Sequence, residues 1–469
     1  MTTVDTSLLR LSAGDLVEAY KARRTSPVEL TRALLRAAQA AQESLNCFVE
    51  IDEPGALRAA QLSEQRWLGG SPLSPLDGVP VSFKDNLDMS GLRTRFGSLT
   101  TGQSQIAERD SPAAARLREA GAILFAKTTT PEFAHKMVTS SPLTGVTRNP
   151  WNVQHSPGGS SGGAAAAVCA GLAPIAIGTD GAGSIRIPAT WTGTFGLKPS
   201  LGRVPHHPRG AFAWFSHVGP ICRNVSDAAR VMTYMTRPDA RDWYSLPFEN
   251  VSYEAALTRG LRDVRIALSP ALGLSGVRVE PDIGSAVAGA AHVFTTLGAT
   301  VELVDPPLMQ ECIDTVATLF LGLSARLVGQ IGAEGVDPSL IALGELGSKL
   351  TPQSIVEASV RRGELGSRLN EFFERFDLVL APVTQFDAPA LDEIAARTDL
   401  RPIFTQWCNL LGFPAASVCC GISSADLPIG LQVIGKRWAD ADVLRACYAY
   451  EQARGPVCRP GAYPWAPGI

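Results

Sequence analysis

Between Ser156 and Pro199 the chain reads SPGGSSGGAAAAVCAGLAPIAIGTDGAGSIRIPATWTGTFGLKP. Two glycine-and-serine clusters, Gly158–Gly163 and Gly181–Ser184, bracket an alanine-rich segment of helical character and an apolar run, residues 173–179, of short buried-strand character. Glycine at this density lets the backbone pass close to a ligand or adopt dihedrals closed to other residues. The serines carry hydroxyls into that crowded backbone. A loop that needed only flexibility would not require two serine clusters joined by a helix and a strand.

The flanking sequence repeats the same alternation. Ser111-Pro112 opens a capped helix that runs to Ala120, and Ala122–Ala126 follows as a buried strand. Helix then strand, repeated at 162–179, predicts an α/β layered fold with a parallel or mixed sheet. Further strands are predicted at 81–83, 264–268, 299–304, 378–381, 414–420 and 430–434, with helices over 282–297 and 440–454 and mostly helix over 308–375. Residues 1–50 read as two helices, capped by Ser12 with Asp15 and by a Ser26-Pro27-Val28-Glu29 capping box. No repeat and no low-complexity linker divides the 469 residues, so a single large domain is expected.

Composition narrows the function classes. The formal net charge is −3 and no basic stretch occurs, which gives nucleic-acid binding no support. The nine cysteines include no CxxC pair and sit in apolar surroundings, as expected for free thiols in a reducing compartment. No signal peptide is evident, and the apolar segment 164–178 is too short for a membrane span and contains Pro174. A cytoplasmic protein with no membrane contact is the expectation. No HxH, HExxH or acidic cluster suggests a metal.

Three chemistries compete for the serine clusters. Gly158–Gly162 contains a literal G-x-S-x-G, but the nucleophile elbow needs a strand directly before the serine. Residues 149–157 are turn-rich, so that reading fails. A phosphate loop needs a lysine after Gly163, and a dinucleotide loop needs a glycine where Arg186 stands. Acyl transfer at Ser184 fits better. The Gly181-Ala182-Gly183 turn after a strand can aim consecutive backbone N–H groups at one oxyanion. A serine needs a base, and a lysine kept neutral by burial can supply one. Lys84, at the end of the Val81–Phe83 run, is a candidate, although a lysine at a strand end is more often a solvated edge residue.

Taken together, GGSSGG, GTDGAGSIRIPA and GLKP resemble the amidase signature family. The resemblance extends to GVPVSFKDN, TRNPWN, the set Gly219, Pro220, Arg223, Val225 and Asp227, and LPIGLQVIG at 427–435. It runs from about Leu76 to Gly435 and is weakest over 236–375. It implies a single amidase domain in which a mixed sheet is covered by helices on both faces. Within it would lie a helical layer at 1–70, a signature core at 76–235, a variable helical region at 236–375 and a C-terminal sheet and helix at 376–469. It also implies a Ser–Ser–Lys triad of Ser184 as nucleophile, Ser160 as bridge after a cis peptide bond, and Lys84 as base. Gly181, Ala182 and Gly183 match the oxyanion loop, Ser161 a supporting serine, and Asp180 and Arg186 a pair holding the loop. Ala182 departs from the family's glycine but keeps its N–H.

The activity implied is hydrolysis of a small-molecule amide, and of an aryl amide, ester or carbamate as alternatives, with no metal or organic cofactor. Alternatives are the A subunit of a tRNA-dependent amidotransferase and an inactive amidase-like binding scaffold. A homodimer is a family-level expectation. Phe133, Trp214, Phe215 and Trp407, read as loop aromatics, are the candidates for a substrate pocket. The six histidines lie in no motif with an aspartate and are expected to be structural, His217 by packing.

Overall fold

The computed structural model describes residues 7–101 and 105–455. Thirteen strands occur among them, in chain order β1 (Phe48–Ile51), β2 (Pro80–Lys84), β3 (Ile123–Thr128), β4 (Ser140–Ser141), β5 (Gly145–Val146), β6 (Ile175–Asp180), β7 (Phe195–Lys198), β8 (His217–Cys222), β9 (Arg265–Leu268), β10 (Thr300–Leu303), β11 (Leu378–Pro382), β12 (Ala415–Ile422) and β13 (Pro428–Gly435). Strands β4 and β5 form a separate hairpin. The other eleven make one sheet in the order β1-β3-β2-β6-β8-β7-β12-β13-β11-β9-β10. The sheet is mixed: β2 lies parallel to both β3 and β6, whereas β8 runs antiparallel to β6.

Side-chain alternation explains why helices cover both faces. In β11, Leu378 and Leu380 enter one apolar cluster while Val379 and Ala381 enter another on the opposite face. In β3, Leu124 faces the first cluster and Ile123 and Phe125 face a third, built with the N-terminal helices. The helices Val225–Met235, Pro281–Thr296 and Asp440–Arg454 cover one face, and Met309–Ile331 and Pro352–Arg375 pack over the other.

Besides the hairpin β4–β5, three strands of the large sheet escape the sequence reading. β1 is short and lies within the expected helical layer, where it pairs antiparallel with β3. β7 and β8 flank a Pro-, Gly- and His-rich stretch and are themselves interrupted by Gly196, Gly219 and Pro220; their neighbours β6 and β12 supply the ladder. Local capping is closer to expectation. Ser12 and Asp15 form a reciprocal capping box on the helix Ala13–Lys21. Ser26 caps the helix Pro27–Leu45, but Glu29 turns away and accepts from Thr25 Oγ1 at 2.8 Å, so only half of the expected box exists.

One composition-level expectation is revised. Seven cysteines among the described residues are free thiols, but Cys419 is disulfide-bonded. The helix Met309–Ile331 is long and apolar enough to cross a membrane by length and composition, a feature that the apolar run at 164–178 does not reveal. Here it packs on the helices Pro338–Ser348 and Pro352–Arg375, with Cys312, Val316 and Leu319 in the core.

Candidate active site

The three parallel strands β3, β2 and β6 deliver their C-terminal ends to one place, where β2 ends in Lys84, β3 in Thr128 and β6 in Asp180. Such an edge is where open α/β sheets leave room for ligands. Lys84 is fully buried, because β2 lies inside the sheet with partners on both sides. The strand order, which no local signal encodes, keeps Lys84 from the solvated edge position more usual for a strand-end lysine.

Lys84 Nζ lies 2.7 Å from Ser160 Oγ and 3.0 Å from Thr179 Oγ1. Burial pushes its pKa well below the ordinary lysine value, with the Asp180 charge opposing the shift. Both hydroxyl oxygens can accept from a protonated amine. A neutral amine can instead accept the Ser160 proton.

The two serine clusters fold against each other. The Gly159–Ser160 peptide is cis. Gly159 leaves no room for a side chain, since a Cβ there would lie 2.7 Å from the Val138 nitrogen. The Ser161 N–H donates to the Ser184 carbonyl at 3.1 Å, and the Ser161 hydroxyl donates to the Thr179 carbonyl at 3.0 Å. Ser161 thereby ties the first cluster to both β6 and the second. Only after these bonds does the chain turn helical at Gly162–Cys169.

Asp180 organises the second cluster. Burial alone would raise its carboxyl, but the Arg186 guanidinium holds it well below the ordinary carboxylate range. Its Oδ1 accepts from Gly183 N–H at 2.6 Å and its Oδ2 from Ile185 N–H at 3.2 Å. Arg186 closes a two-point ion pair with it, Nε to Oδ2 and Nη2 to Oδ1 each at 3.0 Å. The Gly183 N–H is thus engaged within the protein. Those of Gly181, Ala182 and Ser184 have no partner among the described residues. Three unpaired donors on one turn are what a developing oxyanion requires.

Several residues in this framework carry no signal that singles them out in the sequence. Thr179 contacts Lys84; Asn409 donates to the Asp180 carbonyl at 2.7 Å and accepts from Arg186 at 2.6 Å; Gln432 accepts from Arg186 at 2.7 Å. Asn409 belongs to the helix Gln406–Leu411 and Gln432 to β13, each more than 200 residues from Arg186. Gln432 at least lies inside the LPIGLQVIG landmark; Asn409 lies in no motif.

Three of the four candidate pocket aromatics share one apolar cluster, with Trp214 and Phe215 stacked at 5.9 Å between ring centroids, while Phe133 lies apart from them. Phe133 is half-buried and stacks on Phe96 with ring centroids 5.7 Å apart. Phe96 N–H donates to the Asp85 carbonyl and Phe133 N–H to the Phe96 carbonyl, which ties this pair to the residue after Lys84. Trp214 lies under the Arg362 guanidinium, 5.5 Å from its centre. Phe215 and Trp407 are fully buried in an apolar cluster, Trp407 on a helix rather than in a loop. What links them to the site is backbone: the Phe215 carbonyl accepts from Asn409, a neighbour of Trp407, at 3.1 Å. His217 is buried, with Nδ1 2.8 Å from the Phe215 carbonyl, and burial drives its pKa well down. Among the described residues no group of three His, Cys, Asp or Glu side chains could hold a metal ion.

Comparison with known proteins gives a consistent result. The family model described as Amidase matches residues 29–444. An acylamidase of Rhodococcus erythropolis is 33% identical over 471 residues, covering 97% of this chain and 96% of that protein. The A subunit of the glutamyl-tRNA(Gln) amidotransferase of Lachnospira eligens is also 33% identical, over 483 residues, 96% of this chain and 99% of that protein. The crystal structure of a bacterial aryl acylamidase belonging to the amidase signature enzymes superposes with a TM-score of 0.88 at 30% identity, covering 98% of this chain and 99% of that one.

Proposed function

The chain belongs to the amidase signature family, and from that premise we propose that it is an amidohydrolase cleaving the C–N bond of a small-molecule carboxylic amide through an acyl-enzyme on Ser184. The observation that carries this reading is the buried Lys84 amine 2.7 Å from Ser160 Oγ. A lysine with a lowered pKa can start as a base at neutral pH.

In the proposed reaction, Ser184 Oγ attacks the amide carbon while its proton passes to Ser160 and the Ser160 proton passes to neutral Lys84. The carbonyl oxygen becomes an oxyanion that accepts from the unpaired N–H groups of Gly181, Ala182 and Ser184. The relay then returns a proton to the leaving nitrogen, the C–N bond breaks, and the amine departs from the acyl-enzyme. Water repeats the sequence: it loses its proton to the relay, attacks the ester carbon and releases the acid. The residues present require no metal or organic cofactor for these steps.

The half-buried Phe96–Phe133 stack, tied by backbone bonds to the residue after Lys84, supports an apolar or aryl group on the substrate. The likeness to an aryl acylamidase points the same way. Hydrolysis of an anilide series against acetamide tests this preference, and equal rates on both would count against it. For the chemistry itself, Ser184→Ala and Lys84→Ala should each remove activity on every amide while leaving the fold intact. Full activity in either variant overturns the assignment.

A second reading draws on the amidotransferase relative. There the same triad would release ammonia from glutamine for a partner protein. Glutamine hydrolysis appearing only on addition of such a partner would favour it; hydrolysis of simple amides by the isolated chain favours the first.

A further inference from the structure

We propose that Thr405 is a positioning residue for the oxyanion-binding turn, acting on the one peptide of that turn that does not offer its N–H to substrate. The inference rests on the acyl-transfer reading above. The Ala182–Gly183 peptide is held at both ends. Its carbonyl accepts from Thr405 Oγ1, and its N–H donates to Asp180 Oδ1 at 2.6 Å. The flanking N–H groups, of Gly181, Ala182 and Ser184, are free of partners among the described residues. One clamped peptide between unclamped donors fixes the direction in which those donors point.

The clamp is tightly built. Thr405 is fully buried. Gly183 has φ +129°, and a Cβ there would lie 2.3 Å from Thr405 Oγ1, so the contact is possible only against glycine. The Thr405 carbonyl accepts from Arg186 Nη1 at 2.9 Å, and four residues further on Asn409 holds Asp180 through its carbonyl at 2.7 Å and its Oδ1 at 2.9 Å. One short segment, 405–409, therefore grips both the carbonyl and the N–H side of the same peptide, the latter through Asp180. Thr405 stands 223 residues from Ala182, so only tertiary structure makes the contact. The hydroxyl has a second acceptor, the Pro402 carbonyl at 3.2 Å, and the proposal requires that the Ala182 bond be the one that matters.

If the hydroxyl is removed, the part-buried Ala182 carbonyl loses its protein partner, an unfavourable state the peptide can escape by rotating. Rotation would bring a carbonyl oxygen toward the developing oxyanion in place of a clamped peptide. The loss then falls on the transition state and spares substrate binding.

The test compares Thr405→Val, which keeps shape and removes the hydroxyl, with Thr405→Ser, which keeps the hydroxyl. On an anilide substrate, T405V should lose about 10- to 100-fold in kcat with KM within about two-fold. Affinity for a trifluoromethyl ketone, which adds to Ser184 as a tetrahedral oxyanion, should fall by a similar factor. T405S should recover most of both. The proposal is overturned if T405V keeps wild-type kcat, if KM absorbs the loss, or if T405S is as impaired as T405V, since the last two outcomes indicate packing. Should T405V not fold, Thr405→Ala takes its place against T405S with the same criteria. Ser184→Ala and Lys84→Ala run alongside separate the two claims. If they stay active, the acyl-transfer reading fails; if they are inactive and T405V is normal, only the clamp fails.

Discussion

A lysine amine enclosed by sheet strands carries a cost that depends on pH, and the sign follows from where its proton goes. Burial lowers the pKa of Lys84 in the folded state. Between that lowered value and the ordinary value near 10.5 the unfolded chain binds a proton that the folded chain does not, so this residue's destabilisation shrinks as pH rises through that window. Lys84→Met removes the effect, and the stability gain of the variant over wild type, measured by denaturant titration, should be largest at low pH and fade toward alkaline pH. Under the proposed mechanism, catalysis follows the same titration. The acid limb of kcat/KM should reflect loss of the Lys84 proton and reach its plateau well below the ordinary lysine pKa of 10.5; a limb centred at the ordinary value would contradict a buried base. Beside it, Asp85 and Lys127 form a fully buried ion pair at 2.9 Å. Lys127→Met strands the carboxylate, at an expected cost of about 3–5 kcal/mol in unfolding free energy.

At the scale of elements, what positions the chemistry is the junction of strand ends with short helices. Strand β6 ends in Asp180, the turn 181–184 follows, and the helix Arg186–Thr192 begins two residues after Ser184. The guanidinium that pairs with Asp180 therefore belongs to the first residue of that helix. The segments with simple local rules behave as those rules say: Ser12 caps its helix by a reciprocal box. Ser12→Ala should lower stability by about 1 kcal/mol, read from the chemical-denaturation midpoint, and leave kcat unchanged. The capped helix packs on the helix Val225–Met235, outside the serine clusters. The strands β7 and β8 follow the opposite rule. Their local strand signal is weakened by Gly196, Gly219 and Pro220, and they are strands because β6 and β12 offer unpaired edges to them.

For the molecule as a whole, the candidate site is assembled from distant parts of the chain. Lys84 comes from β2, the serines from the segment 160–184, and Thr405, Asn409 and Gln432 from residues beyond β11. Strand β12 joins β13 to β7, so the C-terminal strands complete the same sheet that carries Lys84. A chain ended before Leu378 should lose fluorophosphonate labelling of Ser184, whereas an independent N-terminal catalytic domain would keep it. The sequence by itself determined most of the alternation of helix and strand and the two serine turns, because these are written in local periodicity and glycine placement; the candidate triad came only with the family resemblance that its short motifs carry. The sequence could not determine that Lys84 is enclosed, that Gly183 gives its N–H to Asp180, or that Thr405 and Asn409 lie behind the turn. Those facts depend on strand order and on contacts across more than 200 residues, and no local pattern records which edges of a sheet will meet.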